Sequence, residues 1–532
     1  MSASSLQEPI GEEQNETVNH QDPAAINSRQ TTVLMFSVFV VALCGIVYEL
    51  IIASVASYLL GNSVFQFSIT IGLFMFAMGI GSYMSKWIEN DLVERFISIE
   101  IIVAMIGGIC SASLFLIFPF HALYRPVMYG FILVIGTLVG LEIPILARIL
   151  SRSATWKDSI ANVLSLDYVG ALVGSISFPL FMLPTIGLFQ SAFAIGLLNI
   201  IVASLTVFFF RKQLKRLGRF IAGLVLVTVA LLLGLFYCET LTSFAEHQLY
   251  ADKIVYRQQT PYQRIVVTEN AVNGDVRLYL DKHIQFASVD EHRYHESLVH
   301  PIMSAPGDRS HVLILGGGDG LAVREILKYP DVEKIVLVDI DPAIIEICKN
   351  FRPIKKLNQD SLQSEKLEIR NEDAFRYAID FAGNQEERFD RVIIDLPDPH
   401  NEVLDKLYSK EYYEILRHCM TPEGILVTQS SSPFFAREVF WCICQTLESA
   451  SYEVTSYQVP MVSFGIWGFN LAKANGEPIP AIEIDETKCR YLSSAAFRSQ
   501  CHFGSDISRI KSPTNRTFEP KLYMLYVKGL SR

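Results

Sequence analysis

Apolar and polar positions divide the chain into two textures. From Thr32 to Cys238, apolar stretches follow one another with only short polar or glycine-containing gaps between them. About 20 consecutive apolar residues let a helix cross the hydrocarbon core of a bilayer. Seven stretches have that length, at approximately 33–59, 64–84, 97–120, 127–150, 163–183, 188–210 and 220–237. The pattern predicts a multi-pass α-helical membrane bundle over 32–238. After Cys238 charged residues recur and apolar runs shorten to strand length, as in a soluble α/β domain. Residues 1–31 are polar, with Glu8, Glu12, Glu13, Glu16 and Asp22, and cannot bury enough surface to fold alone. This predicted disordered tail also lacks the basic start and short apolar core of a signal peptide.

The soluble part opens with strand-like segments at 264–268 and 276–280 flanking Asn273-Gly274. That dipeptide predicts a two-residue hairpin turn, which needs positive φ, within a small β subdomain over 250–305. His311 to Leu315 is an unbroken apolar strand, followed by Gly316-Gly317-Gly318-Asp319-Gly320 and a helical pattern from Leu321 to Lys328. Strand, glycine turn and helix open a Rossmann-like domain over 306–532, in which the glycines let a ligand approach the free N–H groups of a helix start. A second strand ends at Asp339, at the spacing where a carboxylate can hold both ribose hydroxyls. Asp373-Ala374 follows a third strand, and a fourth, 391–394, runs into Asp395-Leu396-Pro397-Asp398-Pro399. Carboxylates thus gather beyond the strand C-termini, where open parallel sheets bind ligands, and their number suggests a cationic substrate.

Composition sharpens this picture. Half of the 532 residues are hydrophobic and 19% are charged, with a mean hydropathy of +0.30, too apolar for an ordinary soluble enzyme. A net charge of −10 argues against nucleic acid as a partner, since phosphates need a basic face. The nine cysteines form no C-x-x-C pair, so the pattern predicts no metal site and reduced, structural thiols. Lys86, Arg95, Arg152, Lys157, Arg211, Lys212, Lys215, Arg216 and Arg219 fall in the second, fourth and sixth loops. Such loops stay in the cytoplasm; seven crossings would then put the soluble domain outside, and six or eight would return it. Glu49, Glu100, Glu142 and Asp167 lie within or at the ends of spans, where a charge costs about 2.5–3.5 kcal/mol. They read either as a polar path through the bundle or as helix-to-helix hydrogen bonding, with Glu100 at an interface.

Tyr262-Gln263, the stretch from Leu280 to Gln285, Asp290-Glu291, Tyr294-His295-Glu296, the glycine turn, Asp339, Asp373, Asp395-x-x-Asp398-Pro399, Leu407-Tyr408 and Gln429 occur in an order that resembles the spermidine synthases, the polyamine aminopropyltransferases. The resemblance covers about 256–507, and the membrane half resembles that of the family's membrane-fused branch. It implies transfer of an aminopropyl group from decarboxylated S-adenosylmethionine, a co-substrate, to putrescine, giving spermidine and methylthioadenosine, with no metal and no permanently bound cofactor. By the resemblance, Asp395 is the catalytic base. Gly316, Gly318 and Asp319 bind the donor, Asp319 through its aminopropyl amine. Asp339 holds the ribose, Asp373 with Ala374 the adenine edge, and Gln263 the methionine-derived end. Tyr294, His295, Asp398 and Tyr408 face the acceptor. The donor's source implies a cytoplasmic catalytic domain on the cell (inner) membrane, and the family's small sheet admits a homo-oligomer.

Two departures separate donor from acceptor. His400-Asn401-Glu402 stands where the family continues Gly-Pro, and Val462 stands where the family has an acceptor-contacting tyrosine. The acceptor is therefore putrescine or a related amine. Two other classes compete: a methyltransferase on the same fold, which would need a partner for its donor's carboxylate where Asp319 stands, and a membrane polyamine transporter or sensor with a non-catalytic nucleoside-binding domain.

Overall fold

The computed structural model describes residues 26–60, 63–118, 120–152, 156–238, 240, 249–383 and 387–530. Most of the expected polar tail, 1–25, lies outside the described residues, while 28–31 already belong to the first helix. Seven helices follow: α1 (Ser28–Leu60), α2 (Ser63–Met84), α3 (Leu92–Ile117), α4 (His121–Leu150), α5 (Trp156–Ser177), α6 (Leu183–Phe210) and α7 (Leu217–Phe236). Among the described residues six continuous helical stretches are long and apolar enough to cross a membrane, because Lys157–Phe210 runs on for 54 residues.

At about 1.5 Å per residue that stretch would be about 80 Å long if straight, more than twice a hydrocarbon core. It folds back instead. Gly170 packs on Phe39 and Ala42, and Gly174 on Leu43 and Ile46, so α5 runs in the direction of α1. The α6 arm returns: Cys44 Sγ points to the Ile195 carbonyl at 4.0 Å, and Gln30 Nε2 donates to the Phe209 carbonyl at 3.0 Å. Reversal occurs at Gly187, whose φ of 81° and ψ of 178° leave the helix, a conformation closed to most L-residues. Gly196 against Ala104 extends this close packing to α3, the role small residues play between apolar helices.

The helices alternate in direction, which fixes two end faces. The N-terminus, the α2–α3 turn, the end of α4 and the α6–α7 turn share one face. There Arg148 donates to the Ile88 and Ser85 carbonyls at 2.8 Å each, and Lys215 pairs with Asp91 at 2.8 Å. The C-termini of α1, α3 and α7 share the other face, where Lys282 of the soluble domain donates to the Leu59 carbonyl at 3.0 Å.

The soluble part begins with β1 (Lys253–Gln259), β2 (Arg264–Glu269), β3 (Val276–Leu280) and β4 (His283–Ala287), antiparallel in the order β1-β2-β3-β4. The expected two-residue turn at Asn273-Gly274 is instead part of a longer connection, 270–275. Asn270 and Asn273 accept backbone N–H groups there, and only Gly274 takes positive φ, at 69°. The tight turn lies at Asp281-Lys282, with φ of 48° and 72°, the double left-handed geometry of a type I′ turn. Asp281 Oδ1 accepts the Arg264 N–H at 2.8 Å and the Leu59 carbonyl holds Lys282. Partners outside the dipeptide thus replace the usual asparagine and glycine.

Helix α8 (Glu291–Ser304) leads into a seven-stranded sheet made of β5 (His311–Gly316), β6 (Lys334–Val338), β7 (Leu367–Arg370), β8 (Phe389–Asp395), β9 (Met420–Gln429), β10 (Glu453–Met461) and β11 (Gly465–Lys473). Its order is β10-β11-β9-β8-β5-β6-β7; β5 to β9 are parallel, and β11 joins β9 antiparallel. The β5 side chains alternate between two layers: Val312 and Ile314 enter one core cluster, Leu313 and Leu315 the other. All four are fully buried, each stabilising by about 1.5–3 kcal/mol relative to exposure. Helices α9 (Leu321–Ile326), α10 (Pro342–Asn350), α11 (Arg352–Asn358) and α12 (Ala374–Ala382) follow β5, β6 and β7. The chain leaves β5 toward β6 on one side and returns to β8 on the other, opening the crevice that parallel sheets offer to ligands.

Candidate active site

The crevice is built from the ends of β5, β6 and β8. After β5 the chain turns on Gly316 and Gly320, with φ of 84° and 79°. The Gly317 N–H donates to the Asp395 carbonyl at 3.1 Å, and the Gly318 N–H to Asp339 Oδ2 at 3.1 Å. A Cβ on Gly318 would lie 2.6 Å from Asp339 Oδ2 and 2.9 Å from Ile344, so close approach demands glycine here. Asp339 Oδ1 accepts the Asp341 N–H at 3.0 Å. Asp341 in turn caps α10 through the Ala343 N–H and accepts from Gln263 Nε2 at 3.0 Å and Thr260 Oγ at 2.8 Å. Gln263, from the small sheet, is thereby held at the Asp339 edge.

Asp319 Oδ1 accepts the Leu321 N–H at 2.9 Å, and its Oδ2 lies 4.0 Å from His295 Nε2. The opposite ring nitrogen, Nδ1, meets Glu291 Oε2 at 3.0 Å. Glu291 also receives both guanidinium nitrogens of Arg324 at 2.9 Å. Burial opposes charge on His295, but the Glu291 and Asp319 carboxylates outweigh it and lift the imidazole to about 9. Burial likewise opposes the Glu291 charge, yet His295 and Arg324 hold that carboxyl down to about 2. His295 is therefore a buried imidazolium facing Asp319. Of this network the sequence reading named Asp319, His295 and Glu291 but not Arg324, because Arg324 meets Glu291 across 33 positions, from the next helix.

Asp395 ends β8, and its Oδ1 accepts the Tyr294 hydroxyl at 2.6 Å. Burial and the nearby Asp319 push its carboxyl up to about 6 against the pull of His295 and Tyr294. Asp398 faces Ser431, whose Oγ donates to Oδ2 at 3.2 Å, and burial lifts it too to about 6. Asp339 is raised to about 6 by burial as well, and burial raises Asp319 against the pull of His295. Carboxyls raised together in one crevice leave a deficit of positive charge that a cationic ligand would fill. Among the described residues no group of three or more His, Cys, Asp or Glu is arranged to hold a metal ion.

The remaining expected residues lie in different settings. Asp373 caps α12, accepting the Phe375 and Arg376 N–H groups at 2.8 and 3.0 Å, and Lys406 reaches it at 3.1 Å. Burial opposes its charge, but those contacts hold it below the usual carboxylate range. Ala374 is buried beside it. Tyr408, expected at the acceptor, is fully buried beneath the Asp395–Asp398 loop. Its hydroxyl donates to the Leu396 and Pro397 carbonyls at 3.2 and 2.9 Å and accepts from Gln429 Nε2 at 2.8 Å. It braces the loop from below. The divergent His400 stacks on His283 at 4.3 Å, next to Lys282, so the loop following Asp398 is tied to the turn that meets the bundle.

Comparison with known proteins agrees with this geometry. The Spermine/spermidine synthase domain matches residues 291–485. Polyamine aminopropyltransferase 1 of Streptomyces coelicolor is 42% identical over 496 residues, covering 92% of each chain. The polyamine aminopropyltransferase of Leptospira interrogans is 41% identical over 501 residues, 94% of this chain and 99% of that one. The chain belongs to the polyamine aminopropyltransferases. The likeness extends through the helical bundle, since it covers more than nine-tenths of both partners. The crystal structure of spermidine synthase from Thermotoga maritima matches 47% of this chain and 85% of its own, at 25% identity and a TM-score of 0.43. This aminopropyltransferase is thus a transferase of a family that uses decarboxylated S-adenosylmethionine, and its crevice, rich in uncompensated carboxylates, fits that sulfonium donor.

Proposed function

We propose that the crevice transfers the aminopropyl group of decarboxylated S-adenosylmethionine to putrescine, giving spermidine and methylthioadenosine. The observation that carries this reading is the pairing of Asp395, raised to about 6 and hydrogen-bonded to Tyr294, with Asp319 across the same crevice. The unprotonated amine attacks the methylene beside the sulfonium. A C–N bond forms, the C–S bond breaks with its electron pair passing to sulfur, and Asp395 takes the proton of the attacking nitrogen. Asp319, backed by His295, holds the amine of the aminopropyl arm. Asp339 takes the ribose hydroxyls, the Gly316 and Gly318 turn admits the donor, Asp373 with Ala374 borders the adenine, and Gln263 the methionine-derived end. Asp398 holds the far ammonium of the diamine, Tyr294 orients Asp395, and Tyr408 positions the loop between the two carboxylates. Mass spectrometry of products from full-length protein, given donor and a panel of amines, should show methylthioadenosine and spermidine with putrescine. Donor binding without any extended amine would replace this reading with a sensor or transporter.

The domain plan supported is a helical domain to about residue 238, a small sheet over 250–305 and the transferase domain from 306. The bundle is read as spanning the cell membrane. Seven antiparallel passes set the soluble domain on the face opposite Arg148, Arg211, Lys212, Lys215 and Arg216. Retention of basic loops in the cytoplasm then predicts an extracytoplasmic catalytic domain, the opposite of the placement implied by the donor's source. A phosphatase active only outside the cytoplasm, fused after Arg532, should be active; a silent phosphatase would return the domain to the cytoplasm.

A further inference from the structure

Two carboxylates that the crevice does not use meet inside the helical bundle. Glu100 of α3 is 0% exposed and Glu142 of α4 is 1% exposed. Both carboxylate oxygens of Glu100 and Oε1 of Glu142 find no hydrogen-bond partner among the described residues. Packing puts them at one depth. Gly107 lies against the Tyr48 ring, and Glu100 sits two turns earlier on the same face of α3, which runs in the direction of α1. That brings Glu100 level with Val41. A Cβ on Gly45 of α1 would lie 3.0 Å from Val139 of α4; Glu142 is one turn farther along this antiparallel helix, level with Ala42. Both levels fall near the middle of α1. The remaining corner comes from α6. Gly196 faces Ala104, so Asn199, one turn on, stands beside Glu100.

Asn199 is 2% exposed and its Oδ1 has no partner among the described residues. Glu49, which the polar-path reading grouped with Glu100 and Glu142, lies two turns farther along α1, and Asp167 of α5 is only half-buried. Glu100, expected at an interface, is instead enclosed.

The unmet atoms at this depth are acceptors: three carboxylate oxygens and an amide oxygen. Burying such a set requires donors and positive charge. A primary ammonium group brings three N–H donors, one charge and no acceptor. We propose that Glu100, Glu142 and Asn199 form a second amine site, which takes the terminal ammonium of an alkylamine or polyamine within the bundle. This site stands apart from the crevice, so it does not depend on the assignment of the acceptor there.

Equilibrium binding of putrescine and of spermidine to the full-length protein in detergent tests it, with methylammonium and tetramethylammonium as competitors. The wild type should show two classes of bound amine. Glu100→Gln with Glu142→Gln should weaken one class at least about tenfold, the effect of losing hydrogen bonds to a charged group, while aminopropyl transfer in detergent keeps its wild-type rate. Methylammonium should displace that class; tetramethylammonium, without N–H donors, should not. A single class in the wild type, or two unchanged classes in the double variant, would overturn the site and leave the glutamates as a protonated structural pair. Should the double variant fail to fold, Asn199→Leu carries the same expectation, and unchanged binding in it is equally decisive. Turnover recorded on the same samples separates failure of this site from failure of the crevice chemistry.

Discussion

Replacing Asp395 with asparagine is expected to lower kcat by about 10²–10⁴-fold, the range that general acid–base catalysis supplies. The amide keeps an oxygen for the Tyr294 hydroxyl, which now donates to Asp395 Oδ1 at 2.6 Å, so the local geometry survives. What disappears is the group that accepts a proton from the attacking nitrogen. Donor affinity should stay near wild type, because Asp319 and Asp339 are untouched; single-turnover measurement with saturating donor isolates the loss. The wild-type pH profile carries the same signature. Asp395 sits at about 6 rather than near 4, chiefly through burial. Its charged, proton-accepting form therefore prevails above that value, and kcat should fall about tenfold per unit as pH drops below it. The Asp395→Asn variant should lose this acid limb. A residual rate with the acid limb intact would move the base elsewhere.

The second large effect falls on binding rather than on chemistry. Asp339→Asn should raise KM for the donor by about 10–100-fold, the effect of removing charge-assisted hydrogen bonds, and leave kcat within a few-fold. Asp339 follows β6, where the N–H groups of Gly318 and Asp341 take one lone pair on each oxygen and leave a second on each for a diol. Asparagine would offer N–H donors toward the backbone N–H groups that now hold the carboxylate. Burial raises this carboxyl to about 6, so donor affinity should weaken as pH falls through that value and recover above it. An equal drop in kcat and kcat/KM would instead place Asp339 at the reacting carbon.

These two residues were legible because their signal is local. An apolar run, a glycine turn and an aspartate at the next strand's end all lie within one βαβ unit, and hydrogen bonding along the sheet carries each carboxylate to the same edge. The helical bundle was legible for a similar reason: all seven expected stretches became helices, with ends shifted by up to seven residues, since length and apolarity alone suffice. The turn at Asp281-Lys282 was not. Its positive φ values are paid for by the Arg264 N–H and the Leu59 carbonyl, partners that no dipeptide rule contains, whereas Asn273-Gly274 looked like the turn and joined a longer loop.

The same distinction runs through the electrostatics. The strand-end carboxylates called for something cationic, but the sequence could not say that Arg324 grips Glu291 across 33 positions, that Lys406 neutralises Asp373, or that the Tyr408 hydroxyl holds the Pro397 carbonyl. Nor could it select Glu100 and Glu142 from four candidates, because only the packing of α3, and of the oppositely directed α4, against α1 sets two of them at one depth. By itself the sequence determined the elements, the strand-end carboxylates and the family, each a matter of short-range period, spacing and order. The tertiary structure decided the pairings, the face on which the transferase domain sits and the ionisation of the crevice, because these depend on helix direction, sheet order and burial, which join residues far apart in the chain.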